Sequence, residues 1–545
     1  MQKLISILKN KVFINCKKIY GQIGILEILF LLQIGLELIT PRLYSYFFDD
    51  VIAKKSIENL RYLIGGYCLL YLMSFIVGII LKETFFRFRK SIVVNTRLAV
   101  WKKIEQLPYD KYISNNNSEW RSRIDSDSEN VFTYFFGNIV ELPILVAKMV
   151  LIIIVIFLKC YWLTLIMVPF IFFVLEVQKK VEATSYSIYQ KLREKKNVHT
   201  QWLYDVLPNY QDIKVNNLHK KFTREYLRQR HEIVKMENER SLKSFMPNFI
   251  FFEHFNTLYM DKIVLYALCG IVLLKYGNTS VGEVLAYMSY YSSLAASLKL
   301  YNQKVIFNKG MEPAVEKVCE LFYEEEYVDY LKYDSNSEYI IKFDNVSFGY
   351  ADKKIINDFV LDIKKGEKIR LLGKSGAGKS TIIKLLLGFY NPSKGNVVVA
   401  FKNYDEYSKK IGVIFQEPVL YNCSIKDNLK RSCADVNDGE IESVCRMVGI
   451  HDYICSLENK YDSIVGENGV LLSGGQKQLL QLAKLLLKNP EIIILDESTS
   501  AMDAENEVLI NRVLEEFMKD KTCIVISHRK MSDVGFSRTI VLENA

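Results

Sequence analysis

Gly373-Lys374-Ser375-Gly376-Ala377-Gly378-Lys379-Ser380 is the stretch of this 545-residue chain from which the fold can first be predicted. It has the spacing G-x-x-x-x-G-K-S and lies between the apolar run Ile369–Leu372 and the Leu- and Ile-rich segment Thr381–Gly388. A strand, a glycine-rich turn and a helix in this order direct backbone N–H groups and a helix N-terminus at phosphates. In such a loop the lysine reaches the outer phosphates and the serine hydroxyl ligates Mg²⁺. The stretch therefore predicts a nucleotide site formed by Gly373, Ser375, Gly376, Gly378, Lys379, Ser380 and Thr381.

The first 310 residues differ from this region in composition. Half of all residues are hydrophobic, which is unusual for a soluble nucleotide hydrolase, and they are concentrated before residue 310. Six segments there are long and apolar enough, or nearly so, to cross a bilayer as helices. They are approximately 21–48, 60–81, 131–158, 162–181, 248–275 and 281–296. The sequence thus predicts an all-α transmembrane domain over residues 1–310.

The connections between the six segments alternate in length and charge. Those after the first, third and fifth segments are short, whereas those after the second and fourth are long and rich in Lys and Arg. Basic loops stay on the cytoplasmic side of a membrane, so both chain termini are expected in the cytoplasm. The net charge of +9 follows from these loops and does not suggest nucleic acid. The ten cysteines are scattered without metal-ligand spacing, and those after residue 420 are expected to be reduced thiols.

The two long basic loops carry helical periodicity on both arms, so the membrane helices are expected to continue into the cytosol. Their tips, approximately 109–127 and 204–222, combine turn-forming residues with apolar side chains that need a partner, such as Trp120 and Ile213. We therefore interpret the two tips as docking surfaces.

Ionisable side chains inside the apolar segments indicate function by default, because a charge in lipid is costly. Glu141 and Lys148 are seven residues apart on the third segment, hence on one helical face, and could pair with each other. The remaining ionisable groups are Glu27 and Glu37 on the first segment and Glu253, His254, Asp261 and Lys262 on the fifth. Two interpretations stay open: the groups line a substrate path, or they lie near the inner leaflet and pair with neighbouring helices.

The chain changes character again after residue 310. Residues 311–337 are acidic and polar and predict a linker. From residue 338 to 545, strand and helix patterns alternate, which predicts an α/β domain with a largely parallel sheet. In Ile492–Glu497 four apolar residues precede two acids, and ligands bind at the carboxyl ends of strands in such sheets. Asp496 is expected to hold Mg²⁺, and Glu497 is expected to polarise the water that attacks the γ-phosphate.

Leu472-Ser473-Gly474-Gly475-Gln476 resembles the signature motif of ATP-binding-cassette (ABC) proteins, and further motifs of that family occur in the expected order. The resemblance implies a P-loop NTPase domain that hydrolyses ATP with Mg²⁺. Tyr350 resembles the aromatic residue that stacks on adenine, and Gln416 resembles the Q-loop glutamine. Asp503 belongs to a D-loop-like segment, and His528 resembles the switch histidine at the γ-phosphate. The implied catalytic residues are Glu497, His528, Gln416 and Lys379, and the implied metal ligands are Ser380, Gln416 and Asp496.

The signature segment makes physical sense as half of a site. Ser473, Gly474, Gly475 and Gln476 would form a second anion-binding helix start, and one chain cannot easily fold both helix starts onto one phosphate group. The family resemblance implies that two cassettes enclose two ATP molecules head to tail. With one cassette and six spans, the chain resembles a half-transporter that forms a homodimer, or a heterodimer with a degenerate partner.

The resemblance extends over nearly the whole chain and favours type IV exporters. Val465-Gly466-Glu467 resembles their x-loop, and residues 207–226 resemble the loop whose coupling helix docks on the partner's cassette. The first intracellular loop of that family matches at Glu119, Ser122, Arg123 and Asp127. Lys477 and Gln478 stand where two arginines are more usual, and the usual closing strand and helix do not follow Thr539–Leu542.

The sequence therefore predicts an ATP-driven exporter in the cell membrane that works by alternating access, in contact with lipid and without a nucleic-acid partner. A peptide is one expected cargo. Leader cleavage is not expected, since the first span begins near residue 21 with no protease domain before it. The alternatives are a lipid flippase, a multidrug exporter or a membrane sensor that does not pump. Intact Asp496, Glu497 and His528 argue against the sensor.

Overall fold

The structure is a computed structural model that describes residues 16–159, 161, 176, 188, 191–248, 280–350, 353–374, 376–433, 435–496, 512–526 and 535–542. The chain divides into two compact units. The first unit comprises Met1–Gln106 and Asn115–Glu324, and the second comprises Leu107–Ser114 and Glu325–Ala545. A short piece of the first long basic loop therefore clusters with the C-terminal part of the chain.

The described part of the first unit is helical throughout. Its helices, with α3 of the second unit included to keep chain order, are α1 (Cys16–Tyr46), α2 (Ile57–Glu105), α3 (Tyr109–Ser114), α4 (Asn117–Ser122), α5 (Ser128–Phe136), α6 (Leu142–Lys159), α7 (Tyr210–Val215), α8 (His219–Asn248) and α9 (Val281–Tyr323). Residues 191–206 are also helical. Turns of π-helix occur at Phe47–Ile52, Arg123–Asp127 and Gly137–Glu141.

Three described helical stretches are long and apolar enough to cross a membrane, namely Ile19–Ile52, Ile57–Glu105 and Asn117–Leu158. They contain the first three predicted spans. The fourth and fifth predicted spans lie, apart from Glu176 and Asn248, outside the described residues, and the sixth occupies the first part of α9. Because a bilayer needs only about 20 helical residues, α2 with its 49 residues continues well beyond one.

Two hydrogen bonds define how α1 and α9 are aligned with each other. The Tyr290 hydroxyl donates to the carbonyl of Leu38 at 2.7 Å, and nearer the start of α9 the Gly282 N–H donates to the Asp49 carboxylate at 2.9 Å. Asp49, in the π-helical turn that follows α1, thus meets an earlier residue of α9 than Leu38 does, so α1 and α9 are antiparallel. The Asp49 carboxylate also places negative charge at the positive end of α9, which is favourable.

The second unit contains two sheets. The first sheet consists of β1 (Lys332–Tyr333), β2 (Ile341–Tyr350), β3 (Lys353–Ile363) and β5 (Lys394–Val399), and the second of β4 (Lys368–Gly373), β6 (Ile411–Ile414), β7 (Ile492–Asp496), β8 (Thr522–Ile526) and β9 (Arg538–Leu542). The first has the order β1-β5-β2-β3, with β2 antiparallel to both neighbours. The second has the order β6-β7-β8-β4-β9 and is parallel throughout. The predicted α/β fold with a largely parallel sheet is confirmed.

The helices of the second unit pack into two separate hydrophobic cores. They are α10 (Lys379–Leu386), α11 (Tyr404–Lys410), α12 (Ile425–Lys430), α13 (Asp438–Met447), α14 (His451–Ser456) and α15 (Gly474–Lys488). Ile382 and Leu386 of α10 are buried in the core that also contains most of the first sheet. Leu480 and Ala483 of α15 are buried in the other core, together with residues of α12 and α13. The two glycine-rich motifs of the sequence therefore start helices that belong to different cores.

Candidate nucleotide site

The predicted phosphate loop connects the end of β4 to the start of α10. β4 lies between β8 and β9, and its last residue, Gly373, opens the turn. Gly378 is the N-cap of α10, with a φ of 90° and no side chain bonded to the helix start. This φ is left-handed, and a Cβ at Gly378 would lie 3.2 Å from Cγ2 of Ile355, so glycine is required there. The first N–H groups of α10 are thus available to an external acceptor.

The Lys379 side chain lies against the loop that it follows. Its Nζ donates to the carbonyl oxygens of Gly373 at 2.7 Å and Lys374 at 3.0 Å, and the residue is 8% exposed. Of the other predicted loop residues, Gly376 and Ser380 are exposed and Thr381 is buried, whereas Ser375 is outside the described residues. A cationic head group, unpaired N–H groups and a turn too narrow for side chains fit a phosphate group.

The predicted signature segment starts α15 in a different way. Ser473 is the N-cap: its Oγ accepts the N–H of Gln476 at 3.2 Å, and Oε1 of Gln476 accepts the N–H of Ser473 at 2.8 Å. This reciprocal pair is a capping box. Ser473 and Gly474 are exposed, and Gly475 is half-buried. The loop can therefore present N–H groups to an anion, although side chains already complete part of the helix start.

The predicted metal ligands are brought to one edge of the parallel sheet. Asp496 of β7 and Leu371 of β4 both pair with Ile526 of β8, which places Asp496 two strands away from Leu371, at about 10 Å and two residues before the end of β4. Gln416 follows β6, which neighbours β7, and is exposed. Together with the Ser380 hydroxyl, these residues provide hydroxyl, amide and carboxylate oxygens, a donor set that fits Mg²⁺.

Besides Ser375, three predicted site residues lie outside the described residues: Glu497, Asp503 and His528. The structure does describe the strands before two of them. β7 ends at Asp496 and β8 ends at Ile526, side by side at the same sheet edge as the phosphate loop. The roles of these three residues stay predictions.

Tyr350, the predicted adenine-stacking residue, belongs to an aromatic cluster that the sequence analysis missed. Its ring meets Tyr390 edge to face at 5.4 Å, and its hydroxyl is 3.5 Å from Oγ1 of Thr381 in α10. Tyr109 of α3 stacks on Phe389 at 4.5 Å and meets Tyr390 at 5.5 Å. Burial raises the pKa of Tyr390 to about 12, so that it stays a neutral ring at physiological pH. Phe389 and Tyr390 follow α10 closely in the chain, but no periodicity joins them to Tyr350 or Tyr109, so the sequence alone did not indicate this cluster.

The ionisable residues of the predicted spans pair differently from the pairing considered from the sequence. Lys148 donates to Glu37 of α1 at 2.6 Å, and Glu141 bonds Lys304 of α9, so Glu141 and Lys148 do not pair with each other. Their shared helical face is opposite two other helices, each of which supplies the closer partner. Glu27 and Glu37 lie on α1, whereas Glu253, His254, Asp261 and Lys262 are outside the described residues.

Comparisons with known proteins agree with this architecture. A solved structure described as a bacterial Atm1-family ABC exporter with ATP bound has the same fold, with a TM-score of 0.79 and 20% identity. The match covers 96% of this chain and 93% of that chain. The multi-domain fold expected from the sequence, a helical transmembrane domain followed by an α/β P-loop domain, is thereby confirmed.

Two relatives align with about a third of this chain. An ABC transporter B family member 2 from Dictyostelium discoideum is 42% identical over 197 residues, 35% of this chain and 14% of that protein. A putative multidrug export ATP-binding/permease protein from Staphylococcus aureus is 38% identical over 211 residues, 37% of this chain and 36% of that protein. The aligned segments thus span about a third or less of these relatives.

Family models match both parts of the chain. The model of the ABC transporter transmembrane region matches residues 23–298, which is just over half of the chain. The model described as ABC transporter matches residues 356–500, from β3 through the phosphate loop and the signature to the acids after β7. The chain belongs to the ABC transporter family.

Proposed function

We propose that this chain is half of an ATP-driven exporter: two copies bind two ATP molecules and couple their hydrolysis to the movement of a substrate out of the cell. The observation that carries the proposal is the pair of helix starts in the second unit. The start of α10 has an uncapped N-terminus with Lys379 beside it, and the start of α15 exposes Ser473 and Gly474 in a different hydrophobic core. Both belong to a chain whose first unit has helices suited to a membrane.

In the proposed reaction water attacks the γ-phosphorus of ATP, the bond to the β–γ bridging oxygen breaks, and ADP and phosphate leave. Lys379 exchanges the carbonyls of Gly373 and Lys374 for the outer phosphate oxygens, which are the stronger acceptors because they are charged. Glu497 orients the water and accepts its proton, and His528 contacts the γ-phosphate. Mg²⁺ held by Ser380, Gln416 and Asp496 would neutralise charge on the phosphates.

The second half of each site comes from the other copy. Ser473, Gly474, Gly475 and Gln476 of one copy face the γ-phosphate on the loop of the other copy, with Asp503 near the junction. ATP then acts as the ligand that joins two cassettes, and hydrolysis separates them. Tyr350 supplies the face for adenine, since it is 37% exposed and held from the side by Tyr390.

A cleft in the second unit supports docking of the partner's second long loop. The cleft lies beside the Q-loop residue Phe415, encloses about 630 Å³, and is lined by Arg431, Lys484 and Lys488. None of these three cations forms an ion pair with a described carboxylate. The loop tip 204–222 exposes the apolar side chains of Leu207, Tyr210 and Val215. Since the cleft also exposes Phe415 and Val419, apolar contact favours this tip as the occupant.

The cargo class separates the remaining candidates. The Staphylococcus aureus relative carries multidrug export in its name, which is consistent with a multidrug exporter, and we retain a peptide and a lipid as the other candidate cargoes. The second unit is placed in the cytoplasm, where ATP is available, and the first in the cell membrane. A sensor that does not pump is disfavoured because the sequence retains Asp496, Glu497 and His528.

Glu497→Gln tests the proposal in purified protein in lipid nanodiscs. Loss of a general base costs about 100-fold or more in rate, so ATP turnover should fall by at least that factor. ATP binding should persist and the closed dimer should accumulate. Glu491→Gln is the matched control, because Glu491 precedes β7 at the opposite end and pairs with Lys410. Near-normal turnover of Glu497→Gln, or wild-type protein without ATP turnover, would contradict the proposal.

A further inference from the structure

Two ion pairs join helices of the first unit at different depths. Nζ of Lys148 lies 2.6 Å from Oε2 of Glu37, which links α6 to α1. Nζ of Lys304 lies 2.9 Å and 2.8 Å from the two carboxylate oxygens of Glu141, which links the π-helical turn before α6 to α9. The four side chains are between 21% and 46% exposed, so each pair has an open side on which a further group can bind.

The two pairs are stacked along one helical face. Glu141 and Lys148 are seven residues apart, which is two helical turns and about 10 Å. One turn before Glu37 on α1, Nε2 of Gln33 donates to Oγ of Ser74 on α2 at 2.9 Å. This helical face therefore carries charged and polar groups over about two turns. Placing such groups in a membrane costs free energy, and charges retained there mark substrate paths.

We propose that these pairs form the binding path for a small amphipathic zwitterion, with an ammonium and a carboxylate about 10 Å apart on an apolar body. This is the chemistry of a short peptide with free termini, and it deepens the proposed export function by naming its cargo. Three extended residues span about 10 Å. The ammonium would bind the Glu141 or Glu37 carboxylate, and the carboxylate would bind the lysine of the other pair.

Balance of charge is the physical reason for a zwitterion. A carboxylate accepts more than one hydrogen bond and a lysine ammonium donates three, so a substrate group can add to a pair without breaking it. A lipophilic cation would then leave the site with one uncompensated positive charge, which is costly within a membrane. A zwitterion supplies one charge of each sign, so both pairs gain a substrate partner and the net charge of the site is unchanged.

The separation of the pairs also argues against a phospholipid head group. In a zwitterionic head group both charges lie at one depth, close to each other. Here each helix junction presents its own pair, and the two junctions are two turns apart. A short peptide chain matches that spacing, and its apolar side chains match the remaining surface of the helices.

Buried amides next to the lower pair fit a peptide cargo as well. Asn302 and Asn308 flank Lys304 on α9 and are 6% and 2% exposed. The Nδ2 of Asn302 and both amide atoms of Asn308 have no hydrogen-bond partner in the described structure. Unsatisfied buried amides are rare and need a reason. Helix movement during transport would offer them to peptide N–H and C=O groups.

The test measures ATP turnover of the full-length protein under four conditions. In phosphatidylglycerol nanodiscs, the protein receives trileucine with free termini, N-acetyl-trileucine amide or tetraphenylphosphonium; in the fourth condition phosphatidylcholine replaces phosphatidylglycerol as the nanodisc lipid and no probe is added. We expect trileucine to raise turnover at least two-fold and the other three to have no such effect. Lys148→Met and Glu141→Gln should abolish the response to trileucine. The double variant Glu37→Lys with Lys148→Glu exchanges the two charges but keeps the ion pair. It should retain the response to trileucine.

Lys54→Met is the matched control, since Lys54 pairs with Asp50 only four residues earlier and joins no two helices. It should respond to trileucine as the wild type does, and melting temperatures will show which variants are folded. Equal stimulation by free and capped trileucine, or stimulation by the phosphonium or phosphatidylcholine alone, would overturn the inference. Wild-type protein without basal turnover would instead contradict the export function, whereas basal turnover that trileucine leaves unchanged would overturn this inference only.

Discussion

The N-termini of α10 and α15 in the second unit differ in how their free N–H groups find hydrogen-bond acceptors. Each leaves N–H groups at a positive helix end, where an anion is stabilised. At α10 the cap is Gly378, which has no side chain to offer, and the nearby cation bonds its own loop. At α15 the capping box of Ser473 and Gln476 satisfies the start from within the chain. The first N–H groups of α10 therefore need a bound ligand as acceptor. The start of α15 is already stabilised by its own side chains before any anion binds.

Lys379→Met should have the largest effect, because it breaks the helix start that depends on its ligand. The variant loses the cation of the loop and both of its bonds to loop carbonyls. We expect ATP turnover of the full-length protein to fall at least 100-fold, with weaker ATP binding, measured by phosphate release and by nucleotide titration.

Lys374→Met is the control for this change. Lys374 lies in the same loop, and its side chain is exposed. Its removal should alter turnover by no more than about three-fold, as for an exposed charge. Equal losses of ATP turnover in the two variants would mean that the total positive charge of the loop, and not the position of the Lys379 ammonium, determines activity.

Gly378→Ala should have the next largest effect. An alanine at a φ of 90° costs about 1–2 kcal/mol, and its Cβ would also press on Ile355. We expect a lower melting temperature together with weaker ATP binding. Gly366→Ala separates the two causes, because Gly366 has a φ of 81° and open space around it, in a turn before β4. It should lower the melting temperature but leave ATP binding unchanged.

Ser473→Ala tests the other helix start. Loss of an N-cap costs about 1 kcal/mol, and the shared-site proposal adds a loss of turnover of about ten-fold while ATP binding persists. Asn437→Ala is matched to it, since Asn437 forms a capping box with Glu440 at α13, away from the glycine motifs. Calorimetry should give similar losses of stability for both, and only Ser473→Ala should slow ATP turnover. Normal turnover in Ser473→Ala would break the comparison.

The two starts also differ in how far they could be predicted. Spacing alone predicted the position of α10 and the sheet edge where Asp496 lies, because G-x-x-x-x-G-K-S and an apolar strand before acids impose local geometry. The capping box of Ser473 and Gln476 was within reach of the sequence as well, since S-x-x-Q is such a signal. The aromatic cluster of Tyr350, Tyr390 and Tyr109 was not, because these residues are distant in the chain and no periodicity joins them.

The ion pairs of the predicted membrane spans also could not be predicted from the sequence. Helical periodicity put Glu141 and Lys148 on one face, which the structure retains. It could not say what lies opposite that face, so the partners Glu37 and Lys304 emerged only from the packing of α1 and α9. Partner choice between helices is a tertiary property, and a period within one helix carries no information about it.

Tyr350→Phe should have the smallest effect on ATP binding. It tests whether the Tyr350 hydroxyl contributes to the site at the start of α10. The Tyr350 hydroxyl is 3.5 Å from Oγ1 of Thr381, at the outer limit of a hydrogen bond, so its loss should change ATP affinity by less than about three-fold. Tyr350→Ala removes the ring itself and should weaken ATP binding by about ten-fold, since stacking of a base on an aromatic ring contributes about 1–3 kcal/mol. GTP and ATP titrations of both variants distinguish stacking from hydroxyl contact. If Tyr350→Phe lost as much affinity as Tyr350→Ala, the hydroxyl would cap α10 through Thr381, and the first helix start would resemble the second.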